Sequence, residues 1–255
     1  MNTFDMNTSA EASAVKILAV EASGPVAGCA LYADGCLTAE YSVQYKKKHS
    51  QSLVPMLDEM RNMLDLDLST IDFIAVTSGP GSFTGLRIGA ATVKGLGLAL
   101  DKPVLPVPTV DSLACNLFGT DRVICPLMDA RRQQVYTGIY ENIDRLQVLH
   151  PQFVAALSDV TDQLNAIGRE VIFLGDGVPV NRDALCEQMK VPYLLAPEHL
   201  SRQRAASTAV RAAQIYEDLG SDALVSADDF RPEYLRIPQA ERERGDKRNY
   251  KVFVE

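Results

Sequence analysis

Ser78-Gly79-Pro80-Gly81-Ser82-Phe83-Thr84-Gly85-Leu86-Arg87 stands between the apolar stretch Phe73 to Val76 and the run Ile88 to Leu98. A strand, a glycine-rich turn and a helix in this order point backbone N–H groups and the positive end of a helix dipole at an anion. The spacing departs from both common nucleotide templates. A Walker loop has Lys-Ser/Thr after its last glycine, whereas Gly79, Gly81 and Gly85 are followed here by Leu86-Arg87. A dinucleotide fingerprint would need glycine where Thr84 stands. Gly79 and Gly81 permit positive φ on either side of Pro80, which is turn chemistry, and Ser82 or Thr84 can cap the next helix. Two readings stay open: a tight structural connection, or a weak anion or nucleotide site made of Gly79, Gly81, Ser82, Thr84 and Arg87.

The helix that follows carries a second pattern. Gly85, Gly89, Val93 and Gly97 share one face, and Ala91, Gly95 and Ala99 lie beside them at four-residue steps. Each interior glycine costs on the order of 1 kcal/mol relative to alanine, so the pattern predicts close packing against something. Lys94 interrupts an apolar run that is also too short to span a bilayer. The close neighbour is either the protein's own sheet or a helix of another protein.

Working outward, Val15 to Val20, Gly28 to Tyr32 and Leu37 to Tyr45 read as strands of an antiparallel meander, with turns at Ser23-Gly24-Pro25 and Ala33-Asp34-Gly35. Ser50 to Leu64 reads as a helix, with Leu53, Leu57, Met60 and Leu64 at helical spacing and Met56, Met60 and Met63 as a neighbouring stripe. Such a stripe suits a core face or an adaptable protein-binding surface. Phe73 to Thr77 and Val104 to Val107 are further strands, and Val110 to Phe118 a helix. Three antiparallel strands, a helix, a strand, a helix and a strand form one half of the actin-like, Hsp70-like and sugar-kinase fold.

The second half repeats the plan less clearly. Val123 to Met128, Gln134 to Glu141 and Leu146 to Val154 read as strands, and Val160 to Ile167 as a short helix. Val171 to Leu174 is a strand entering a turn at Gly175-Asp176-Gly177, and Ser207 to Leu219 is an amphipathic helix. The expected architecture is therefore α/β, a two-lobed actin-like ATPase fold (ASKHA, ribonuclease H-like) with a mixed sheet and helices in each lobe. Residues 1–14 are expected to be a disordered arm, 15–118 the first lobe, 119–238 a degenerate second lobe and 239–255 a charged tail.

Composition narrows the function. The 255 residues are 47% hydrophobic and 23% charged, an ordinary globular balance, and the formal net charge of −8 argues against autonomous nucleic-acid binding. Cys29, Cys36, Cys115, Cys125 and Cys186 form no C-x-x-C pair, so neither a zinc site nor a disulfide framework is indicated. The N-terminal stretch lacks the basic and apolar regions of a signal peptide, which predicts a cytoplasmic protein without membrane association.

Five segments resemble the TsaB family, also called YeaZ: Ile17-Leu18-Ala19-Val20-Glu21, His49-Ser50-Gln51-Ser52-Leu53-Val54-Pro55, the glycine loop Ser78 to Arg87, Asp129-Ala130-Arg131-Arg132 with Val135-Tyr136, and Pro232-Glu233-Tyr234-Leu235-Arg236. They run in order through nearly the whole globular part. The resemblance implies a non-catalytic bacterial subunit of the machinery that makes N6-threonylcarbamoyladenosine at position 37 of tRNAs reading codons that begin with A. It implies pairing with the catalytic relative TsaD through first-lobe helices, with the ATPase TsaE joining and tRNA met only through the complex. Another enzyme supplies threonylcarbamoyl-AMP. No cofactor is expected in the chain itself, with ATP or ADP at the interface of the complex as the alternative; for the chain alone a two-fold homodimer, covering the exposed apolar surface, and a monomer both stay open. The partner surface read from the small-residue face and the methionine stripe is Met56, Met60, Met63, Gly85, Gly89, Val93 and Leu96.

Two features bear on chemistry. The family's first strand usually ends in Asp-Thr, where this chain has Glu21-Ala22. TsaD-like metal sites use H-x-x-x-H, but four residues after His49 stands Leu53, and His150 and His199 have no partner at ligand spacing. No nucleophile and base stand together, so no catalytic or metal residue is assigned. Lys46, Lys47 and Lys48 read as a solvated loop, and Asp129, Arg131 and Arg132 as a charged strand-end network. The competing reading is an enzyme of the same superfamily, metallopeptidase-like or nucleotide-dependent.

Overall fold

Lys16–Glu21 (β1) reads Lys-Ile-Leu-Ala-Val-Glu, and every residue after the first is buried because both faces of the strand are covered. Leu18 and Val20 enter one hydrophobic core and Ile17 and Ala19 another, so period-two alternation distributes an unbroken apolar run between two layers. The computed structural model describes residues 15–45 and 49–236. The arm expected over 1–14, Lys46 to Lys48 and the tail expected from 239 lie outside the described residues.

Ala27–Ala33 (β2) and Cys36–Val43 (β3) complete the meander, His49–Met63 (α1) crosses back, and Phe73–Gly79 (β4) pairs parallel with β1. Phe83–Leu100 (α2) leads to Val104–Pro108 (β5), which gives a sheet of order β3-β2-β1-β4-β5. Thr109–Ala114 (α3) follows.

The second sheet is built on the same plan. Thr120–Pro126 (β6) pairs antiparallel with Gln134–Asn142 (β8), and β8 pairs antiparallel with Leu146–Ala156 (β9). Leu157–Ile167 (α4) then leads to Val171–Leu174 (β10), parallel to β6, and Gly177–Gln188 (α5) leads to Tyr193–Leu195 (β11), parallel to β10. Met128–Asp129 (β7) carries the register of β6 onward: Ile124 faces Tyr140 and Met128 faces Tyr136 across β8. With β6 as the counterpart of β1, the order β9-β8-β6-β10-β11 repeats the first sheet strand for strand. Helix α5 and strand β11 were not expected from the sequence, which reads only a turn at Gly175-Asp176-Gly177. Pro179 is accommodated there because it lies in the first turn of α5, where helix N–H groups have no intrahelical partner.

The last helix of each half crosses to the other half. Helix α3, which follows the first sheet, packs Val110, Leu113 and Ala114 against Ile124, Tyr140 and Leu174 of the second. Ala205–Leu219 (α6), which follows the second sheet, packs Ala205, Ala209 and Ala212 against Ile17, Phe73 and Leu105 of the first. Beyond α6, Val225 pairs with Val104 at the edge of β5, and Ala227 and Phe230 enter the first core. Each lobe thus closes its core with a helix from the other side of residue 118, since an apolar helix face covers whichever sheet is open to it. Among the described residues no helix is long and apolar enough to cross a membrane.

Candidate functional site

The glycine loop is held by the chain's own backbone. Ser82, with φ −60° and ψ 118°, caps α2 by accepting the Gly85 N–H at 3.3 Å, and its own N–H donates to Ser23 O at 2.7 Å. A Cβ on Gly81 would lie 2.3 Å from Ser23 O, and one on Gly85 2.0 Å from Ala22 O. Gly79 has φ +131°, and a Cβ there would lie 2.0 Å from Glu233 O. These three glycines are required by close backbone approach within the fold. The second lobe repeats the device: Cβ atoms on Gly175 and Gly177 would lie 2.2 and 2.8 Å from Leu127 O.

Between the lobes is a cleft of about 450 Å³, lined by Ser23, Gly24, Gly81, Ser82 and Phe83 on one side and by Met128, Asp129, Ala130, Arg131, Tyr136 and Asp176 on the other. Of the anion candidates, Gly81 and Ser82 line this cleft. Thr84 and Arg87 are exposed on α2, with the Arg87 guanidinium 3.9 Å above the Phe83 ring, and Gly79 is covered by Glu233. The cleft walls carry two carboxylates, Asp129 and Asp176, and burial pushes the Asp176 carboxyl above the usual range. Arg131 donates its N–H to Asp129 Oδ1 at 2.7 Å, and its guanidinium lies 3.7 Å from Asp129 Oδ2.

Glu21, at the end of β1, is fully buried and folded onto its own chain. It accepts from Ser23 N–H at 2.6 Å and Ser23 O–H at 2.5 Å, with Thr208 Oγ1 at 3.4 Å. Burial raises its pKa, and the Ser23 bonds oppose that only in part. The longer side chain of Glu thereby caps the turn after β1. His49 opens α1 with Nε2–H donating to Gly24 O at 2.8 Å, His150 bonds Pro151 O, and His199 lies in the short turn Glu198–Leu200. Among the described residues no group of three His, Cys, Asp or Glu is placed to hold a metal ion.

Helices α1 and α2 form the outer layer on the first sheet. The residues expected to form the partner surface fall on different sides of this layer. Met56, Met60, Gly85, Gly89 and Val93 face inward and are buried. A Cβ on Gly89 would already stand 3.3 Å from the Ala22 Cβ. The close neighbour of this row of small residues is the protein's own first lobe: Ala22 just past β1 and Val76 of β4 at Gly85 and Gly89, and Ala227 and Lys102 at Gly97. Met63 is 67% exposed, and Leu96 is half-buried. The exposed apolar positions are Val54 and Met63 on opposite sides of α1, and Ala91, Gly95 and Leu98 along one side of α2, with Val54 59% and Leu98 58% exposed. Between the helices an apolar recess of about 140 Å³ is lined by Val54, Leu57, Met60, Leu66, Leu68 and Leu96, with Asp58 and Arg61 also at its walls. The signal for this surface was in the sequence as the second row, Ala91 and Gly95, but nothing in the spacing says which row meets the sheet.

Two sheets of matching order, each with the 3-2-1-4-5 arrangement of a ribonuclease H-like unit and a cleft between them, define a two-lobed α/β protein of the actin-like ATPase class. A family profile described as "TsaD: tRNA N6-adenosine threonylcarbamoyltransferase" matches residues 41–242. The chain is 33% identical over 227 residues to the tRNA threonylcarbamoyladenosine biosynthesis protein TsaB of Bacillus subtilis, covering 88% of this chain and 96% of that protein. It is 30% identical over 151 residues to TsaB of Escherichia coli, covering 55% of this chain and 64% of that one. The solved YeaZ from Pseudomonas aeruginosa superimposes with a TM-score of 0.69 at 26% identity, covering 87% of this chain and all of that one. A second Pseudomonas aeruginosa structure, described as similar to peptidase YEAZ, gives 0.73 at the same identity and over 87% and 100% of the two chains. The chain belongs to the TsaB (YeaZ) family.

Proposed function

We propose that this chain is a non-catalytic subunit in the formation of N6-threonylcarbamoyladenosine at position 37 of tRNAs reading A-starting codons, and that it acts by binding TsaD in the cytoplasm. The observation that carries the reading is the outward face of α1 and α2. Val54, at the recess between the helices, is exposed, and so is Leu98 on the side of α2 that carries Ala91 and Gly95, which have no bulk to hold a second helix away. The recess between the helices suits one large apolar side chain of the partner. A non-catalytic role is supported by the glycine loop, whose glycines serve backbone contacts, and by Glu21, which is spent on Ser23. TsaE joins the TsaD complex in this reading, and tRNA is met through that complex.

The test is reconstitution with TsaD, TsaE, a threonylcarbamoyl-AMP synthase and tRNA. Gly95→Arg with Leu98→Arg changes only exposed positions, so the melting temperature of the isolated chain should hold while co-purification of TsaD and modified adenosine are both lost. Full modification by the double variant, or with the chain omitted, would sink the proposal.

A further inference from the structure

After α6 the chain returns along α2 and then crosses to the other lobe. Ala227 lies under Gly97, where a Cβ would meet the Ala227 Cβ at 2.7 Å, and Lys94 Nζ donates to Asp228 O at 2.8 Å and Phe230 O at 3.4 Å. Further toward the start of α2, the Tyr234 ring packs 5.2 Å from the Phe83 ring, and Arg87 Nε lies 3.4 Å from Tyr234 Oη. At the glycine loop, Glu233 N–H donates to Ser78 O at 2.7 Å while its carbonyl occupies the space beside Gly79. Three residues on, the Arg236 guanidinium donates to Ala130 O and approaches Arg131 O at 3.4 Å, both in the second lobe. The receiving turn is strained: Arg131, Arg132 and Gln133 have φ of +65°, +57° and +59°. Non-glycine residues held in this region are strained and persist only where surroundings enforce them. A charged donor on the carbonyls that enter the turn is such an enforcement.

The geometry points to residues 231–236 as an interlobe clasp, which ties the start of α2 to the Ala130-Arg131 turn across the cleft mouth and fixes the angle between the lobes. Two-lobed molecules turn about their connection, as hinge-closing proteins do; here the α3–α6 contact and Gln152 of β9, whose Nε2–H donates to Gly79 O at 3.0 Å, hold the lobes elsewhere. A further tie at the cleft mouth narrows the remaining rotation. The same segment covers the glycine loop at Gly79, so opening the cleft and uncovering the loop become one event. The clasp works through Tyr234 at the first lobe and Arg236 at the second, as positioning residues.

The exposed thiols Cys36, in the first lobe, and Cys186, on α5 in the second, are natural sites for a pair of nitroxide labels. In the full chain the Cys36–Cys186 distance distribution measured by pulsed dipolar spectroscopy should be single and narrow. Arg236→Ala and Tyr234→Ala each cut one end of the clasp without entering either sheet's core, and each should broaden it. Amide exchange read alongside should rise about tenfold or more over residues 82–86 and 130–135, with β1 and β6 unchanged. A narrow, unshifted distribution and unchanged exchange in both variants would overturn the clasp, as would acceleration spread evenly over both sheets.

Discussion

Arg211 and Asp111 form a buried ion pair, Nη2 to Oδ2 3.0 Å, between the two helices that the lobes exchange. The side chains are 11% and 6% exposed, Tyr140 donates its O–H to Asp111 Oδ1 at 2.9 Å, and one turn away Ser112 Oγ meets Thr208 Oγ1 at 2.9 Å. Polar groups therefore sit at the centre of the interlobe contact. Desolvation nonetheless keeps the Asp111 carboxyl above its usual pKa range, so the pair fixes which helices meet more than it adds stability. Arg211→Ala should cost about 3–5 kcal/mol in urea denaturation, because it leaves a buried carboxylate with only a phenol partner. Arg211→Met combined with Asp111→Leu should recover most of that loss. Equal destabilisation by the single and double variants would contradict this account.

The two rows of small residues on α2 should respond oppositely to one methyl group. Gly85→Ala puts a Cβ 2.0 Å from Ala22 O, a backbone atom that cannot step aside, so α2 must lift from β1. A loss of about 1–3 kcal/mol is expected, as for overpacking elsewhere. A Cβ on Gly95 meets nothing within 4 Å, and Gly95→Ala should stabilise the chain by up to about 1 kcal/mol through helix propensity alone. Thermal melts of the two variants decide the matter, and a shift of the same sign in both would refute the assignment of rows.

That pair of glycines also marks where the sequence stopped being informative. The strands of the first lobe were legible because runs such as Ile17 to Val20 are apolar throughout and end at Gly-Pro or Asp-Gly turns. The requirement for close packing on α2 was legible from Gly85, Gly89 and Gly97. The identity of the close neighbour was not, since a helix row does not declare whether it meets a sheet or a partner. Helix α5 escaped notice because Gly177-Val178-Pro179 opens it with turn residues and only Gly177, Val178 and Leu185 are buried. The exchange of α3 and α6 is a property of long-range packing. Pro232 to Arg236 was visible as a motif, but its work at Gly79 and Ala130 depends on contacts about a hundred residues or more away in sequence.

The five cysteines should fall into two classes. Burial pushes the Cys29, Cys115 and Cys125 thiols up to about 12, where thiolate is scarce near neutrality, while Cys36 and Cys186 are exposed. A chromogenic disulfide reagent at mildly alkaline pH should therefore titrate two thiols in the native chain and all five after denaturation. Rapid native reaction of a third thiol would mean that buried Cys29 or Cys125, or half-buried Cys115, opens on the timescale of labelling.

Glu21 gives the fold a pH dependence of definite sign. Its folded pKa is raised above the ordinary 4.5, chiefly by loss of water, so the folded chain holds a proton that the unfolded chain releases. The stability this group contributes is complete below the unfolded value and is lost as pH rises through the folded one. Glu21→Gln keeps the shape, lets the amide oxygen accept from Ser23 N–H, and abolishes the titration. Melting curves from mildly acidic to mildly alkaline pH should show the variant matching the parent at the acid end and exceeding it at the alkaline end. If the variant is instead the less stable of the two at alkaline pH, the ionised carboxylate held by Ser23 N–H and O–H outweighs its own desolvation, and the turn after β1 is organised around a buried charge.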